Sequence, residues 1–177
     1  MYIFRIYDKI YLYSGAAHKG GTTMQDGLRL SRDEIIICYK DDVARLMRYL
    51  SWLQEKSGTI TSGIYKGEGI EKSSMTVPVY DSTLLSFIKE AKKTDFINRN
   101  YVYTYSRYRM KTPEDELRVI SACSLQEITV LGDILSKYVI RGDMKGAVWS
   151  EGVQNGVYLA LLLKLKELME IRKPLEY

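Results

Sequence analysis

One stretch of the chain has regularly spaced side chains of the types that often bind partners. Residues 100–110 read Asn-Tyr-Val-Tyr-Thr-Tyr-Ser-Arg-Tyr-Arg-Met, with an aromatic or basic residue at nearly every second position. This period of two predicts a strand with Tyr101, Tyr103 and Tyr105 on one face, which Arg107 continues. Tyrosine and arginine are enriched at the hot spots of protein interfaces, and rings flanked by cations can also stack nucleobases.

Basic residues accompany this stretch. Positions 89 to 111 hold seven lysines and arginines and two acids, a local excess that can attract an acidic protein face or phosphate. We therefore expect a partner-binding surface made of Tyr101, Tyr103, Tyr105, Arg107, Arg109, Lys111, Lys92 and Lys93. A purely structural reading stays open, because strands also half-bury tyrosine rings while the hydroxyl groups stay in water.

A second candidate for chemistry is the glycine-rich loop around the single histidine. Residues 15–23 read Gly-Ala-Ala-His-Lys-Gly-Gly-Thr-Thr. Backbone N–H groups in such a loop, together with Lys19 and Thr22, could hold a phosphate. The Walker spacing is absent, a catalytic His18 would need an orienting carboxylate, and a connecting loop explains the same composition. An enzyme that uses the His18 loop is therefore kept as an alternative.

The rest of the composition argues against other kinds of site. Only Cys38 and Cys123 accompany the histidine, so a zinc site would lack ligands, and no cofactor-binding motif occurs. Both cysteines have apolar neighbours, which predicts reduced thiols in the core. The longest apolar run, 157–163, is too short for a membrane span, and no signal-peptide pattern is visible. We therefore expect a soluble, cytoplasmic protein without a cofactor or a metal.

The secondary-structure elements predicted to position these residues are mostly strands early in the chain and mostly helices late in it. With 177 residues, 46% of them hydrophobic, the chain suffices for one domain with a core. Alternation and β-branched runs predict a hairpin over 1–14 and strands over 34–40, 59–66, 75–80 and 100–110. Caps and helical periodicity predict helices after Asp41 or Asp42, after Asp81 or Ser82, after Thr112, from Ser124 to about 141–143, over 147–154, and after Gly156.

This order predicts an α+β fold in which an N-terminal β-rich half packs on a C-terminal helical half. We expect a single domain over 1–177, with a hairpin and strand extension over 1–40, a mixed α/β part over 41–111 and a helical part over 112–177. The last helix is apolar on nearly all sides, so it should be the central and most buried one.

Several short motifs carry a resemblance to a known family. They are Val79-Tyr80-Asp81, Ser86-Phe87-Ile88, Asp95-Phe96-Ile97, Val139-Ile140-Arg141-Gly142, and the run from Trp149 to Gly156 that leads into Leu161 to Leu168. Over roughly residues 43–170 the chain thereby resembles a family of small bacterial and phage proteins described as a domain of unknown function. The tyrosine–arginine stretch stands where the family pattern has a tryptophan, and residues 1–40 have no counterpart. The resemblance implies a bacterial or mobile-element setting and no catalytic residue.

Together these observations favour an interaction protein. We expect a non-enzymatic protein that binds a protein or nucleoprotein partner and, by analogy with small phage proteins, inhibits a host defence nuclease in the manner of anti-CRISPR proteins. Direct nucleic-acid binding through 89–111 is one alternative, and its affinity would fall steeply with salt. An enzyme using the His18 loop is the other, and the oligomeric state stays open.

Overall fold

Helices dominate the part of the chain that the computed structural model describes, residues 30–66 and 76–170. The eight α-helices in these residues are α1 (Arg32–Met47), α2 (Leu50–Lys56), α3 (Ser82–Ala91), α4 (Tyr101–Arg107), α5 (Pro113–Ala122), α6 (Ile128–Met144), α7 (Ala147–Gln154) and α8 (Val157–Met169). A short 3-10 helix over Leu125–Glu127 precedes α6. Strands β1 (Ser62–Lys66) and β2 (Thr76–Tyr80) pair antiparallel.

The predicted α+β fold with a β-rich N-terminal half is therefore wrong. The described residues form a mostly helical assembly whose sheet has two strands. The predicted hairpin over 1–14 and the His18 loop lie outside the described residues. Two of the predicted strands, 34–40 and 100–110, are helical in the structure, and each has a specific physical reason.

The strand predicted over 34–40 belongs to α1. Ser31 caps this helix: its hydroxyl accepts a hydrogen bond from the Glu34 backbone N–H, while the Glu34 carboxylate accepts one from the Ser31 N–H. The run of isoleucines masked a helical spacing, because Ile35, Tyr39 and Leu46 are buried on one side of α1 while Ile37 is 40% exposed. A capping box upstream therefore outweighs the β-propensity of the isoleucines.

The strand predicted over 100–110 is the helix α4 with turns on both sides. Alternation of tyrosines is compatible with a helix when residues four apart share one face. Here the side chains of Thr104, Tyr105 and Tyr108 all reach carboxylates on neighbouring elements. These hydrogen bonds are made to residues that are distant in the sequence, and they outweigh the β-propensity of a segment rich in tyrosine, valine and threonine.

Most other helix ends follow their sequence signals. Asp81 and Thr112 are helix caps, as predicted. Asp81 accepts hydrogen bonds from the backbone of the first turn of α3, and Thr112 forms a capping box with Asp115 at α5. The predicted helices over 147–154 and after Gly156 are confirmed as α7 and α8. The predicted edge strand with Pro78 is confirmed as β2, and the strand predicted over 59–66 is shorter, beginning at Ser62.

The last helix is central, as predicted, but it is not the most buried one, because α6 has eleven buried residues and α8 has five. α8 contacts α1, α2, α5, α6 and α7, and its inner residues Tyr158, Leu161 and Leu162 are buried. One side of it reaches the surface, where Leu163 is 44% exposed. None of the described helices is long and apolar enough to cross a membrane.

α6 ends at Met144, one residue after the end predicted at Arg141-Gly142-Asp143. Gly142 serves close packing instead of termination: a Cβ atom there would overlap the indole ring of Trp149. The Trp149 indole N–H donates to the Val139 carbonyl at 3.2 Å, and its ring meets Tyr80 of β2 edge to face at 5.8 Å. Trp149 thus joins the hairpin to the helical body.

Candidate partner-binding surface

The first half of α4 is held against α6 by a buried carboxylate. Thr104 donates a hydrogen bond of 2.5 Å to one oxygen of Asp133, which is buried on α6. The side-chain amide of Asn98 donates to the other oxygen at 2.7 Å. Both oxygens therefore have a donor, as burial of a carboxylate requires. This pair of bonds ties α4 and the turn before it to α6.

A second buried carboxylate, Glu116 of α5, holds the middle of α4. Glu116 is fully buried and accepts hydrogen bonds from the hydroxyls of Tyr105 at 2.9 Å and Tyr138 at 2.6 Å. The Lys137 ammonium pairs with the same carboxylate and lies 5.2 Å from the Tyr105 ring centroid. Burial, and next the charge of Glu116, raises the pKa of Tyr105 well above its ordinary value, so the hydroxyl keeps its proton and donates.

The remaining inner tyrosines pack in the same direction. Tyr101, one turn before Tyr105, meets it edge to face with ring centroids 5.9 Å apart. Tyr108, just after the helix, donates to Glu127 at 3.2 Å. Burial and the nearby Glu127 raise the pKa of Tyr108 as well. The sequence put Tyr101, Tyr103 and Tyr105 on one face, and the helix instead separates Tyr103 from the other two.

The opposite side of α4 forms what we call the outer surface. It consists of Val102, Tyr103, Ser106, Arg107, Arg109 and Lys111, all of them exposed. Val102 is 56% exposed and Tyr103 is 77% exposed, although both carry large apolar groups. Exposed apolar side chains with charged residues around them are typical of a protein interface, whose centre is apolar and whose rim is polar.

The cations of the outer surface have no close counter-ion in the part of the chain that the structure describes. No carboxylate there lies within ion-pair distance of Arg107, Arg109 or Lys111. Arg107 stands 5.8 Å from the Tyr108 ring centroid and acts on Glu127 only at longer range. These three charges are therefore available to an acidic partner.

The two lysines predicted to join this surface are used differently. Lys92 pairs with Asp143 at 2.5 Å and lies 5.6 Å from the Trp149 ring centroid. Lys93 pairs with Glu90 at 2.5 Å, and Glu90 also binds Arg45. The hydrogen bonds from Lys93 and then from Arg45 lower the pKa of Glu90 to about 2. Both lysines are thus partnered at the end of α3: Lys92 joins α3 to α6, and Lys93 pairs with the last turn of α3 itself.

Arg109 has an unusual backbone conformation. Its φ angle is +53°, in the left-handed region, and it is the one non-glycine residue with positive φ in the described part of the chain. The conformation ends α4, since the Arg109 N–H donates to Ser106 O and the Met110 N–H donates to Tyr105 O. Glycine is the usual residue there, because any Cβ adds strain. An arginine in this place is consistent with a role for its side chain.

A groove runs along the outer surface. Its volume is about 550 Å³, and it is lined by Val102, Tyr105, Ser106, Arg109, Met110 and Lys111. The sequence did not group Val102 and Ser106 with Arg109, because a strand would separate them by alternation. In a helix, Val102, Ser106 and Arg109 lie on one face, because they are four and three residues apart. This spacing in the sequence could have indicated that they line one groove.

A second cavity, of about 360 Å³, lies at the far end of this region. It is lined by Tyr108, Arg118, Val119, Ala122, Cys123, Glu127 and Val130. Burial raises the pKa of Cys123 to about 12, so the thiol stays protonated and is a poor nucleophile. Cys123 and Cys38 are both buried thiols, as predicted.

No other chemical site emerges from the described residues. Within 30–66 and 76–170 no three His, Cys, Asp or Glu side chains cluster as a metal site would require. The His18 loop lies outside these residues, so its predicted alternative role stays a prediction. Comparison of the chain with family models, with curated proteins and with solved structures gives no match. The case for the outer surface of α4 as a binding site therefore rests on its geometry.

Proposed function

We propose that this protein is a non-enzymatic interaction protein that binds an acidic face of a protein partner through the outer surface of α4. The observation that carries the proposal is Arg109, an arginine at a left-handed helix end where glycine would be less strained. Its guanidinium is exposed beside two further cations and has no carboxylate partner in the described part of the chain. A binding role accounts for both features.

The arrangement favours a protein partner over nucleic acid. Val102 and Tyr103 give the surface an apolar centre, and the cations stand around it. Lys92 and Lys93, which would have extended a track for phosphates, are already paired with acids. Few charges therefore remain for counterion release, which supplies most of the affinity of a nucleic-acid binder.

The proposal includes a bacterial cytoplasmic setting, in keeping with the two buried thiols. Within such a setting, a host defence nuclease is the partner class to test first, by analogy with small phage proteins. The test must therefore identify which molecule contacts α4.

The proposal can be tested by capture with matched variants. The full chain is immobilised as wild type, Arg109→Ala, Tyr103→Ala and Arg141→Ala, and exposed to a bacterial lysate with and without nuclease treatment. Arg141 is an exposed arginine on α6, so its variant controls for loss of one positive charge. A true partner is retained by wild type and Arg141→Ala and is lost by the two α4 variants.

Purified partner then gives the affinities. We expect a loss of about 2 kcal/mol or more for each α4 variant, the size of a hot-spot effect. A partner that binds all four proteins equally would place the functional surface elsewhere. Capture that disappears after nuclease treatment, with a steep salt dependence, would support direct nucleic-acid binding instead.

A further inference from the structure

We propose that the groove on the outer surface receives one large apolar side chain of the partner, and that this side chain is flanked by carboxylates. This inference rests on the proposed function and adds what the partner must carry: an acidic segment interrupted by a residue such as leucine or phenylalanine. The apolar walls of the groove disfavour a purely charged segment, and its cationic rim disfavours a purely apolar one.

The walls of the groove are apolar and fixed. Met110 is only 5% exposed, and the Tyr105 ring is held by its hydrogen bond to Glu116. Val102 provides an exposed apolar wall on the same helix. The volume of about 550 Å³ lies in the range of small-molecule sites, so the groove has room for one large side chain. A purely polar, charged segment would leave these walls in contact with water.

The rim of the groove is cationic. Arg109 and Lys111 line it, and neither has a carboxylate within ion-pair distance in the residues that the structure describes. Ser106 of α4 also lines the groove, and its hydroxyl can accept or donate one further hydrogen bond. An apolar segment without acids would bring its side chain beside two unmatched charges, which opposes binding. The two properties of the groove together select an acidic segment with one apolar residue.

The groove needs little rearrangement to accept such a segment. Val102 and Ser106 are on one helix, and the Met110 N–H donates to the Tyr105 carbonyl at 3.0 Å. The lining residues are therefore connected by backbone hydrogen bonds and by the buried Glu116. A preformed site binds short segments better, because less conformational freedom is lost on binding.

Short peptides can test this inference with the whole protein. The ¹⁵N-labelled full chain is titrated with a capped peptide of two glutamates, one leucine and two glutamates, and amide shifts are followed by NMR. The comparison peptides replace the leucine by serine, or the glutamates by lysines. We expect saturable shifts of Ser106, Arg109, Met110 and Lys111 amides, and an affinity about tenfold or more above that of either comparison peptide.

Two exposed variants separate the contributions of the wall and the rim. Val102→Ser should remove the preference for leucine over serine, and Arg109→Ala should reduce the preference for glutamate over lysine. Equal binding of the leucine and serine peptides would overturn the inference and leave the proposed function standing on charge alone. No saturable shift with any acidic peptide would also overturn it. The proposed function fails instead if the captured partner ignores Arg109→Ala and Tyr103→Ala, or if capture is lost after nuclease treatment.

Discussion

The inner and outer sides of α4 use the same residue types for opposite purposes. On the inner side, Tyr105 and Thr104 donate hydrogen bonds from their hydroxyl groups to the buried carboxylates of Glu116 and Asp133. On the outer side, Tyr103 is 77% exposed and the neighbouring cations have no carboxylate partner in the described part of the chain. Within one helix of seven residues, the polar groups on one side are thus hydrogen-bonded to buried carboxylates, and those on the other side face solvent.

This contrast shows that residue type alone does not assign a role in this stretch. A buried polar group without a partner is costly, so the inner side is constrained by stability. The outer side is exposed, where most substitutions change stability little. Features that cost stability on the outer side, such as the backbone of Arg109, are therefore the informative ones.

The largest expected effect breaks the inner side. Glu116→Ala removes the carboxylate that Tyr105, Tyr138 and Lys137 share, and leaves a largely buried ammonium without its counter-ion. We expect the free energy of unfolding to fall by about 3–5 kcal/mol, as for other broken buried pairs. Urea unfolding measures it, with Glu114→Ala as the control for loss of an exposed acid on the same helix. A midpoint close to wild type would mean that water or rearrangement satisfies Lys137.

Apolar packing in the core sets a scale for that loss. Leu162 of α8 is completely buried, so Leu162→Ala should cost about 2–5 kcal/mol in the same urea experiment. Leu163→Ala is the matched control, since Leu163 is 44% exposed on the next position of the helix. If both variants unfolded alike, α8 would not be the central helix.

A pair of tyrosine variants compares the two sides of α4 directly. Tyr105→Phe removes a hydrogen bond to a buried carboxylate and should cost about 1.5–3 kcal/mol, the value for hydrogen bonds to charged groups. Tyr103→Phe removes an exposed hydroxyl and should change stability by less than about 0.5 kcal/mol. Thermal unfolding of the two proteins checks this difference. Equal stabilities would show that the inner hydroxyl gains nothing over water.

Much of this arrangement was visible in the sequence, and some of it was not. The caps at Asp81 and Thr112 are local signals, because the capping atoms lie within three residues of the groups they satisfy. The helical state of α4 is not local: Glu116 lies 11 residues from Tyr105 and Asp133 lies 29 from Thr104. A prediction from short sequence windows includes the alternating tyrosines but not the carboxylates that accept their hydrogen bonds.

The residues of the candidate surface were predicted only in part, because the prediction assumed a strand where the structure has a helix. Tyr103, Arg107, Arg109 and Lys111 are exposed, and any solvent-facing reading of the stretch includes them. Tyr105 was grouped with them only because a strand was assumed. The left-handed backbone at Arg109 could not be predicted, since the residue that signals this conformation is glycine.

The paired cations next to α3 give a prediction with a pH dependence. Glu90 binds Lys93 and Arg45, which lowers its folded-state pKa to about 2 from the model-compound value of 4.5. Its contribution to stability is present above the unfolded pKa and is lost as the pH falls through the folded one. Glu90→Gln should therefore lower the melting temperature at pH 7, and the difference from wild type should shrink between about pH 4.5 and pH 2.

The effect of Glu90→Gln should be smaller than those above, because the pairs are partly in water and salt screens them. Asp41→Asn, an exposed acid of α1, is the control. A difference from wild type that persists unchanged down to pH 2 would show that Glu90 acts by packing and not by charge.

The smallest expected change in stability concerns Arg109, and there the sign matters more than the size. Arg109→Ala keeps a Cβ atom in the left-handed conformation, whereas Arg109→Gly removes it. The glycine variant should unfold about 1 kcal/mol less readily than the alanine variant, because strain at such positions is of that order. Thermal unfolding and partner affinity, measured on the same two proteins, test the comparison between the two sides of α4.

Both variants lose the guanidinium, so both should bind the partner equally weakly while differing in stability. That combination separates strain from function, since binding then follows the side chain and stability follows the backbone. If Arg109→Gly were less stable than Arg109→Ala, the left-handed conformation would not be a source of strain. The argument that an arginine stands there for its side chain would then lose its basis, even if the cations of the outer surface still bound an acidic partner.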